Sequence, residues 1–358
     1  MSVNYTHFKV NNGNCSIIEG DNFIQIIDLK GSEDESSYEL LKPHFRKKNG
    51  VNTIDVLTIT HGDQDHCSGF KKFAEEMGKG SLVIGSIWHQ GFDRTKDENY
   101  MKNPSQDYIA LNDEIKRREK IKTPQFGDYV LQPKAMHTEV NLYNGITNKP
   151  SDLYVNVLSP FDGDNEDSVY DVNDLSMILN FDYKGLKTLY AGDSTSKYWQ
   201  DKVFPELLNK SAYSYWAEAD VLIVAHHGSA TFFGTDRQSV RDADPKPENY
   251  DALDKIDAND FVISAGSKFP LSGDSSRDNP PHYAAWKWYH KWVRDNRSVS
   301  EDDKHPSLFK YTSEGNKRWE YDINLKTWKF KDNWKRNPED LRTALTGAPS
   351  VWGGLKNI

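Results

Sequence analysis

His61, Asp63, Asp65 and His66 place four potential metal ligands in one short run, Thr60-His61-Gly62-Asp63-Gln64-Asp65-His66-Cys67-Ser68-Gly69. Imidazole and carboxylate groups bind divalent cations, and a cation lowers the pKa of water enough to make it a nucleophile near neutral pH. The preceding residues, Asp55-Val56-Leu57-Thr58-Ile59-Thr60, are β-branched and apolar, as in a buried strand. A loop at such a strand end can fold back so that several ligands face one point. The competing reading is a polar turn that happens to be rich in His and Asp, since short motifs recur by chance.

More polar phrases of this kind follow apolar runs downstream. A strand over residues 186–191 leads into Gly192-Asp193, and the clearest buried strand, over 219–225, ends at His226-His227-Gly228-Ser229. A strand and turn over 260–266 precede Pro280-Pro281-His282. Glycine at such positions lets the backbone pass close to a site.

The elements that must position these residues can be read in outline. Three short strands, over 5–10, 15–19 and 23–29, open the chain as an antiparallel unit separated by Asn/Gly-rich turns. A helix is expected over 36–48, with Tyr38, Leu41 and Phe45 on one stripe, and another from Gly69, carrying Phe70, Phe73 and Met77. A strand over 81–88 ends in Trp88-His89-Gln90-Gly91, where His89 is a candidate to line a pocket. Residues 92–125 read as a charged insertion with an exposed helix. Its basic run, Lys116-Arg117-Arg118-Glu119-Lys120, is expected to be a solvated face, with phosphate contact as the alternative. Strands over 153–158 and 177–181 flank an acidic loop, 162–171, expected to be solvated, with cation binding as the alternative. A helix over 283–292 and strands over 308–311, 319–323 and 327–330 follow. Residues 1–330 are expected to form one elaborated domain. Residues 331–358 form a polar tail whose Trp334, Leu341, Leu345 and Trp352 are available to dock or to bind a protein partner.

At 358 residues, 36% hydrophobic and 12% aromatic, the chain can bury a substantial core. A net charge of -9 argues against a protein that coats nucleic acid through its own basic surface. It leaves a nuclease open, because metal ions supply positive charge locally. Two cysteines, Cys15 and Cys67, fit a reducing compartment, and Cys67 reads as buried packing with a metal role as the alternative. No apolar run reaches the roughly 18 residues of a membrane span, and the start lacks the segments of a signal peptide. The expectation is a cytoplasmic protein without membrane attachment.

The pattern Thr-His-x-Asp-x-Asp-His-x-x-Gly resembles the signature of the metallo-β-lactamase superfamily, whose commoner form is His-x-His-x-Asp-His. Asp63 stands where the second histidine usually stands, as in the ComEC-type branch, named for the hydrolase domain of the DNA-uptake competence protein. The phrases Asn173-Asp174-Leu175-Ser176, Gly192-Asp193 and His226-His227-Gly228-Ser229 extend the resemblance in the expected order. It implies an α/β fold, the αββα four-layer sandwich, with strand-end loops forming a metal cleft. It implies His61, Asp63, Asp65, His66, Asp193 and His226 as metal ligands, Asp28 as a steadying aspartate, and Asp65, His227 and Ser229 as catalytic. The converse assignment of His226 and His227 stays open. Asn173, Ser176 and His282 are then candidates to contact substrate, although Tyr283 replaces the expected proline after His282, which could instead cap a helix. Two divalent cations are implied, manganese favoured over zinc because carboxylates replace imidazoles.

The function this implies is metal-dependent hydrolysis of a phosphodiester in DNA, RNA or a nucleotide. In it, Asp65 orients the attacking water, and His227 and Ser229 donate to the phosphoryl oxygens. The alternatives are hydrolysis of a small ester, lactone or lactam, and a non-catalytic metal-binding regulatory or partner-binding module.

Overall fold

The computed structural model describes residues 3–20, 23–91, 93–96, 100–136, 143–144, 149–150, 153–164, 169–272 and 279–332. The first half opens with β1 (Val3–His7), β2 (Ser16–Glu19) and β3 (Ile24–Ile27). After α1 (Ser37–Leu41) come β4 (Arg46–Lys48) and the motif strand β5 (Val51–Ile59). Two helices, α2 (Gln64–Cys67) and α3 (Phe70–Gly78), lead to β6 (Leu82–His89). Then come α4 (Gln106–Glu119), β7 (Tyr129–Leu131) and the short pair β8 (Tyr143–Asn144) and β9 (Lys149–Pro150). The second half continues through β10 (Leu153–Ser159), β11 (Ile178–Tyr183) and β12 (Leu186–Tyr190). Helix α5 (Ser196–Tyr198) runs on as a wide π-type segment, Trp199–Leu208, before β13 (Val221–Ile223). Two short helices, α6 (Arg237–Asp242) and α7 (Asp251–Ile256), precede β14 (Asp260–Ile263). The long α8 (Tyr283–Arg297), β15 (Phe309–Tyr311), β16 (Lys317–Asp322) and β17 (Thr327–Lys331) complete the described chain.

Two large sheets result, one in the order β17-β16-β1-β2-β3-β5-β6-β7 with β4 beside β5, the other β10-β11-β12-β13-β14-β15. Alternation along the strands decides which face meets which layer. In β13, Val221 and Ile223 belong to the core between the sheets, with Val56, Leu179 and Tyr190. Leu222, between them, joins the core under α8 with Trp288, Tyr289 and Trp292. On the other sheet, Leu57 and Ile59 pack against Phe70, Phe73 and Leu111 of the helices outside. Helices, sheet, sheet and helices are therefore stacked as the αββα sandwich. Each fully buried Val, Leu, Ile or Phe contributes roughly 1.5–3 kcal/mol. A one-residue slip of a strand, which would turn its whole set to the wrong face, is thereby excluded.

Three local expectations are corrected. The helix expected over 36–48 stops at Leu41, because Pro43 starts a short 3-10 turn and residues 46–48 pair with β5. Helix α4 is not simply exposed: Tyr108, Leu111, Asn112, Ile115 and Arg118 are buried. Within its basic run, Arg118 is buried and donates to Glu114 and to Tyr129 O at 2.7 and 3.0 Å. In the acidic loop, Asp164 is buried, accepting from Phe161 N at 3.0 Å and pairing with Lys202, rather than solvated. Trp334, Leu341, Leu345 and Trp352 lie outside the described residues. Cys15 and Cys67 are free and buried, as packing residues are. Among the described residues no helix is long and apolar enough to cross a membrane.

Candidate metal centre

The parallel strands β3, β5, β12, β13 and β14 end along one edge of the sandwich, with Ile27 beside Thr58 and Tyr190 beside Ile223 in register. One residue past β3, Asp28 is fully buried and left-handed, with φ 57°. Its Oδ1 accepts from Thr60 N at 2.7 Å, and its Oδ2 accepts from the Thr60 hydroxyl at 2.8 Å and from His66 Nδ1 at 2.7 Å. With Nδ1–H committed to a carboxylate, His66 directs Nε2 at the centre.

On the other sheet, β12 runs into Gly192, whose φ of +54° and 2.8 Å approach of a would-be Cβ to Ser176 Cβ require glycine. Ser176 Oγ in turn accepts from Asp193 N at 3.1 Å, which fixes that aspartate's backbone. After β13, His226 N donates to Gly192 O at 3.0 Å. His226 and His227 both adopt left-handed backbone, φ 46° and 55°. For residues with a Cβ this costs on the order of 1–3 kcal/mol each, and such strain persists where surrounding structure enforces it.

These loops converge on Asp193. Its Oδ1 lies 3.1 Å from His66 Nε2. Its Oδ2 lies 3.7 Å from His61 Nε2, 3.6 Å from His226 Nε2 and 3.7 Å from His227 Nε2. Asp65 Oδ2 approaches His227 Nε2 to 3.2 Å, and Asp63 Oδ2 approaches His61 Nε2 to 3.6 Å. The tightest group is Asp65, His66, Asp193 and His227, whose ligand atoms all lie within 4.8 Å of one another.

Charge follows from this crowding. Burial pushes the His61 imidazole down to about 4, helped by His66 beside it. Burial likewise disfavours a charged His66, but Asp193 and Asp28 outweigh it and raise its pKa well above the usual value. Burial would raise both aspartates. The surrounding imidazoles instead hold Asp193 well below the usual carboxylate range, and His227 and His66 lower Asp65. The aspartates are ionised and His61 is neutral at pH 7, as cation binding needs, whereas His66 would give up its Nε2 proton to a cation.

The donor set fits a divalent cation. The Nε2 atoms of His61, His66 and His227 and Asp193 Oδ1 are buried without an aligned hydrogen-bond partner among the described residues. Leaving such atoms unsatisfied costs about 1–3 kcal/mol each, whereas a cation satisfies them together.

The structure thus brings together His61, Asp63, Asp65, His66, Asp193, His226 and His227. His227 joins the tightest group, while His226, with a quarter of its side chain exposed, lies nearer the rim. The remaining candidates are held by contacts of their own. Ser229 Oγ accepts from Thr231 N at 3.3 Å as a local cap, and His282 Nδ1 accepts from Ala230 N at 3.1 Å at the start of α8. Ser176 reaches the centre through the backbone of Asp193. Asn173 Oδ1 is buried without a hydrogen-bond partner among the described residues. Sequence reasoning did not single out Arg94, which pairs with Asp63. The signal was its place just after the polar end of β6.

A small cleft, open to solvent, includes His61 and Gly62 and is lined by His89, Gln90, Asn112, Lys116 and Gln132 together with Ile59, Leu111 and Ile115.

Residues 9–148 match the sequence model of the metallo-beta-lactamase superfamily. ComE operon protein 3 of Bacillus subtilis is 28% identical over 205 residues, which is 56% of this chain and 20% of that protein. The chain therefore matches only about a fifth of that relative's length. Among solved structures, the metallo-beta-lactamase fold protein YhfI from Bacillus subtilis is 11% identical, with 89% of this chain and 100% of that one covered at a TM-score of 0.43. The short form of human tRNase Z is 15% identical, with 72% and 91% covered at a TM-score of 0.37. Zn(2+)-bound PqqB from Methylobacterium extorquens is 11% identical, with 70% and 76% covered at a TM-score of 0.38. His61, Asp65, His66 and Asp193 converge at the strand ends, and over residues 9–148, which include the motif loop, this chain is similar to the metallo-β-lactamase superfamily, with its curated likeness on the ComEC-type branch.

Proposed function

We propose that the protein is a phosphodiesterase or nuclease acting on DNA, RNA or a nucleotide with two divalent cations. The observation that carries this reading is the crowding of His61, Asp63, Asp65, His66, His226 and His227 around Asp193, which offers donors enough for two cations. Beside them lies a cleft where His89, Gln90, Asn112 and Gln132 stand among the apolar Ile59, Leu111 and Ile115, and where Lys116 pairs with Asp93 at 3.1 Å. A phosphate ester can take hydrogen bonds from such donors.

His61, Asp63, His226 and Asp193 would hold one cation, and Asp65, His66, His227 and Asp193 the other. When bound, the cations supply Lewis acidity and water activation near neutral pH. Asp28 keeps His66 in the tautomer with Nε2 directed at the centre. Asp65, ionised and one-third exposed, is the carboxylate best placed to accept a proton from water at the cleft. With three carboxylates among the proposed ligands, manganese is favoured over zinc.

The test is cleavage of single- and double-stranded DNA, RNA, cyclic dinucleotides and a chromogenic phosphodiester with Mn2+ or Zn2+, beside Asp65→Ala and a panel of lactones and esters. Phosphodiester cleavage that falls at least 100-fold in Asp65→Ala is the expected result, in line with about 10²–10⁴-fold for a general base. Equal rates in the two proteins, or lactone turnover without phosphodiester cleavage, would overturn it.

A further inference from the structure

Asp63 is where this chain departs from the His-x-His-x-Asp-His pattern, and a carboxylate ligand needs a different outer partner from an imidazole. An imidazole is oriented by an acceptor, as Asp28 orients His66. A carboxylate must be oriented by a donor. Arg94 provides one: its Nη1 donates to Asp63 Oδ1 and lies 3.3 Å from Gly62 O. The guanidinium sits 4.2 Å from the Tyr100 ring centre, and Arg94 N donates to the Tyr108 hydroxyl at 2.9 Å. The arginine is thus held on both its backbone and its charged end.

Asp63 has a second use open to it. It is the N-cap residue of α2, where an aspartate ordinarily accepts from a backbone N–H in the first turn. Asp63 makes no such bond. Its Oδ1 is drawn to Arg94 and its Oδ2 faces His61 Nε2 at 3.6 Å.

We propose that Arg94 is a positioning residue that keeps Asp63 from capping α2 and aims its Oδ2 at a cation shared with His61. This rests on the reading of the cluster as a metal centre. It makes the half built on His61 and Asp63 dependent on Arg94, and the half built on Asp65, His66 and His227 independent of it. Loss of Arg94 frees the carboxylate to turn onto the helix terminus, and the metal then loses a ligand without any change in the motif itself.

The experiment is a calorimetric titration of the metal-free full chain with Mn2+, and separately with Zn2+, for wild type, Arg94→Gln, Arg94→Lys, Asp63→Asn and Arg94→Gln/Asp63→Asn. Thermal melts of each metal-free protein check that it is folded. Wild type should bind two equivalents. In Arg94→Gln one equivalent should weaken about 10–100-fold, the usual cost of losing a ligand's outer partner, while the other stays unchanged. Arg94→Lys should recover part of the loss, and Arg94→Gln should add little once Asp63 is already Asn. Two unchanged equivalents in Arg94→Gln, or an equal effect of Arg94→Gln in the Asp63→Asn background, would overturn the inference and leave the metal centre standing. So would a wild type with one equivalent that Asp63→Asn does not alter. A wild type that binds neither ion would overturn the metal centre and this inference together.

Discussion

Asp28 Oδ2 accepts the Nδ1 proton of His66 at 2.7 Å, with both side chains fully buried. The same carboxylate accepts two bonds from Thr60, so one residue outside the ligand set ties β3, the end of β5 and α2 together.

Asp28→Ala should therefore act on stability and on metal binding at once. Three donors lose their acceptor in a dry site, for a loss of about 3 kcal/mol or more. Metal affinity should fall about 10–100-fold because His66 is no longer held in one tautomer. Asp28→Asn, which keeps an acceptor oxygen, should recover most of the stability but not the affinity. Urea unfolding of the metal-free proteins and metal titration separate the two effects.

The histidine pair after β13 offers a sharper comparison. His227→Ala removes a donor from the tightest group, so it should abolish tight binding of one equivalent and lower turnover by at least 100-fold. His226→Ala, at the rim, should weaken a different equivalent and leave the first in place. Metal stoichiometry after gel filtration distinguishes them, and identical losses in both variants would contradict the two-half arrangement.

Gly192→Ala tests the backbone on the other sheet. The new Cβ meets Ser176 Cβ at 2.8 Å, and the left-handed φ adds strain. A loss of about 1–3 kcal/mol is expected, together with weaker metal binding as Asp193 shifts. Circular dichroism melts with and without Mn2+ would show a larger drop for the metal-loaded protein.

Acid should destabilise the metal-free protein. Burial holds His7 at about 3 and His89 at about 4, both below the ordinary 6.5. The unfolded chain then takes up protons below pH 6.5 that the folded chain refuses, so stability falls as pH drops through that window. The loss is on the order of 2 kcal/mol per histidine between pH 7 and pH 5. His66 works the other way: its pKa is raised, so its contribution is complete below pH 6.5 and is lost as pH rises through its folded value. Urea midpoints across pH 5–7 in EDTA, with His89→Gln flattening the acid limb, check the sign.

The cavity can be tested through binding alone. Lys116→Ala should raise KM for a phosphodiester several-fold with little change in kcat, the signature of an interaction equal in ground and transition states. An unchanged KM would exclude this wall from substrate contact.

The sequence alone was enough to locate the strands that end at the site and the polar phrases that follow them. Apolar alternation and turn residues act within a few positions, and the backbone's two-residue period makes them readable. The same locality explains the failures. Pro43 ended a helix whose stripe looked continuous, and Arg118 was buried by Glu114 and β7 although its neighbours are all charged. The different placing of His226 and His227 could not be read from two identical side chains after one strand. It comes from two consecutive left-handed residues, with His227 Nε2 3.2 Å from Asp65 and His226 Nε2 3.6 Å from Asp193. Arg94 reaching Asp63 across 31 positions, and Asp28 reaching His66 across 38, depend on the register of β3, β5 and β6. Such meetings belong to the tertiary structure, because packing of the two sheets sets where strand ends fall and no local pattern encodes it.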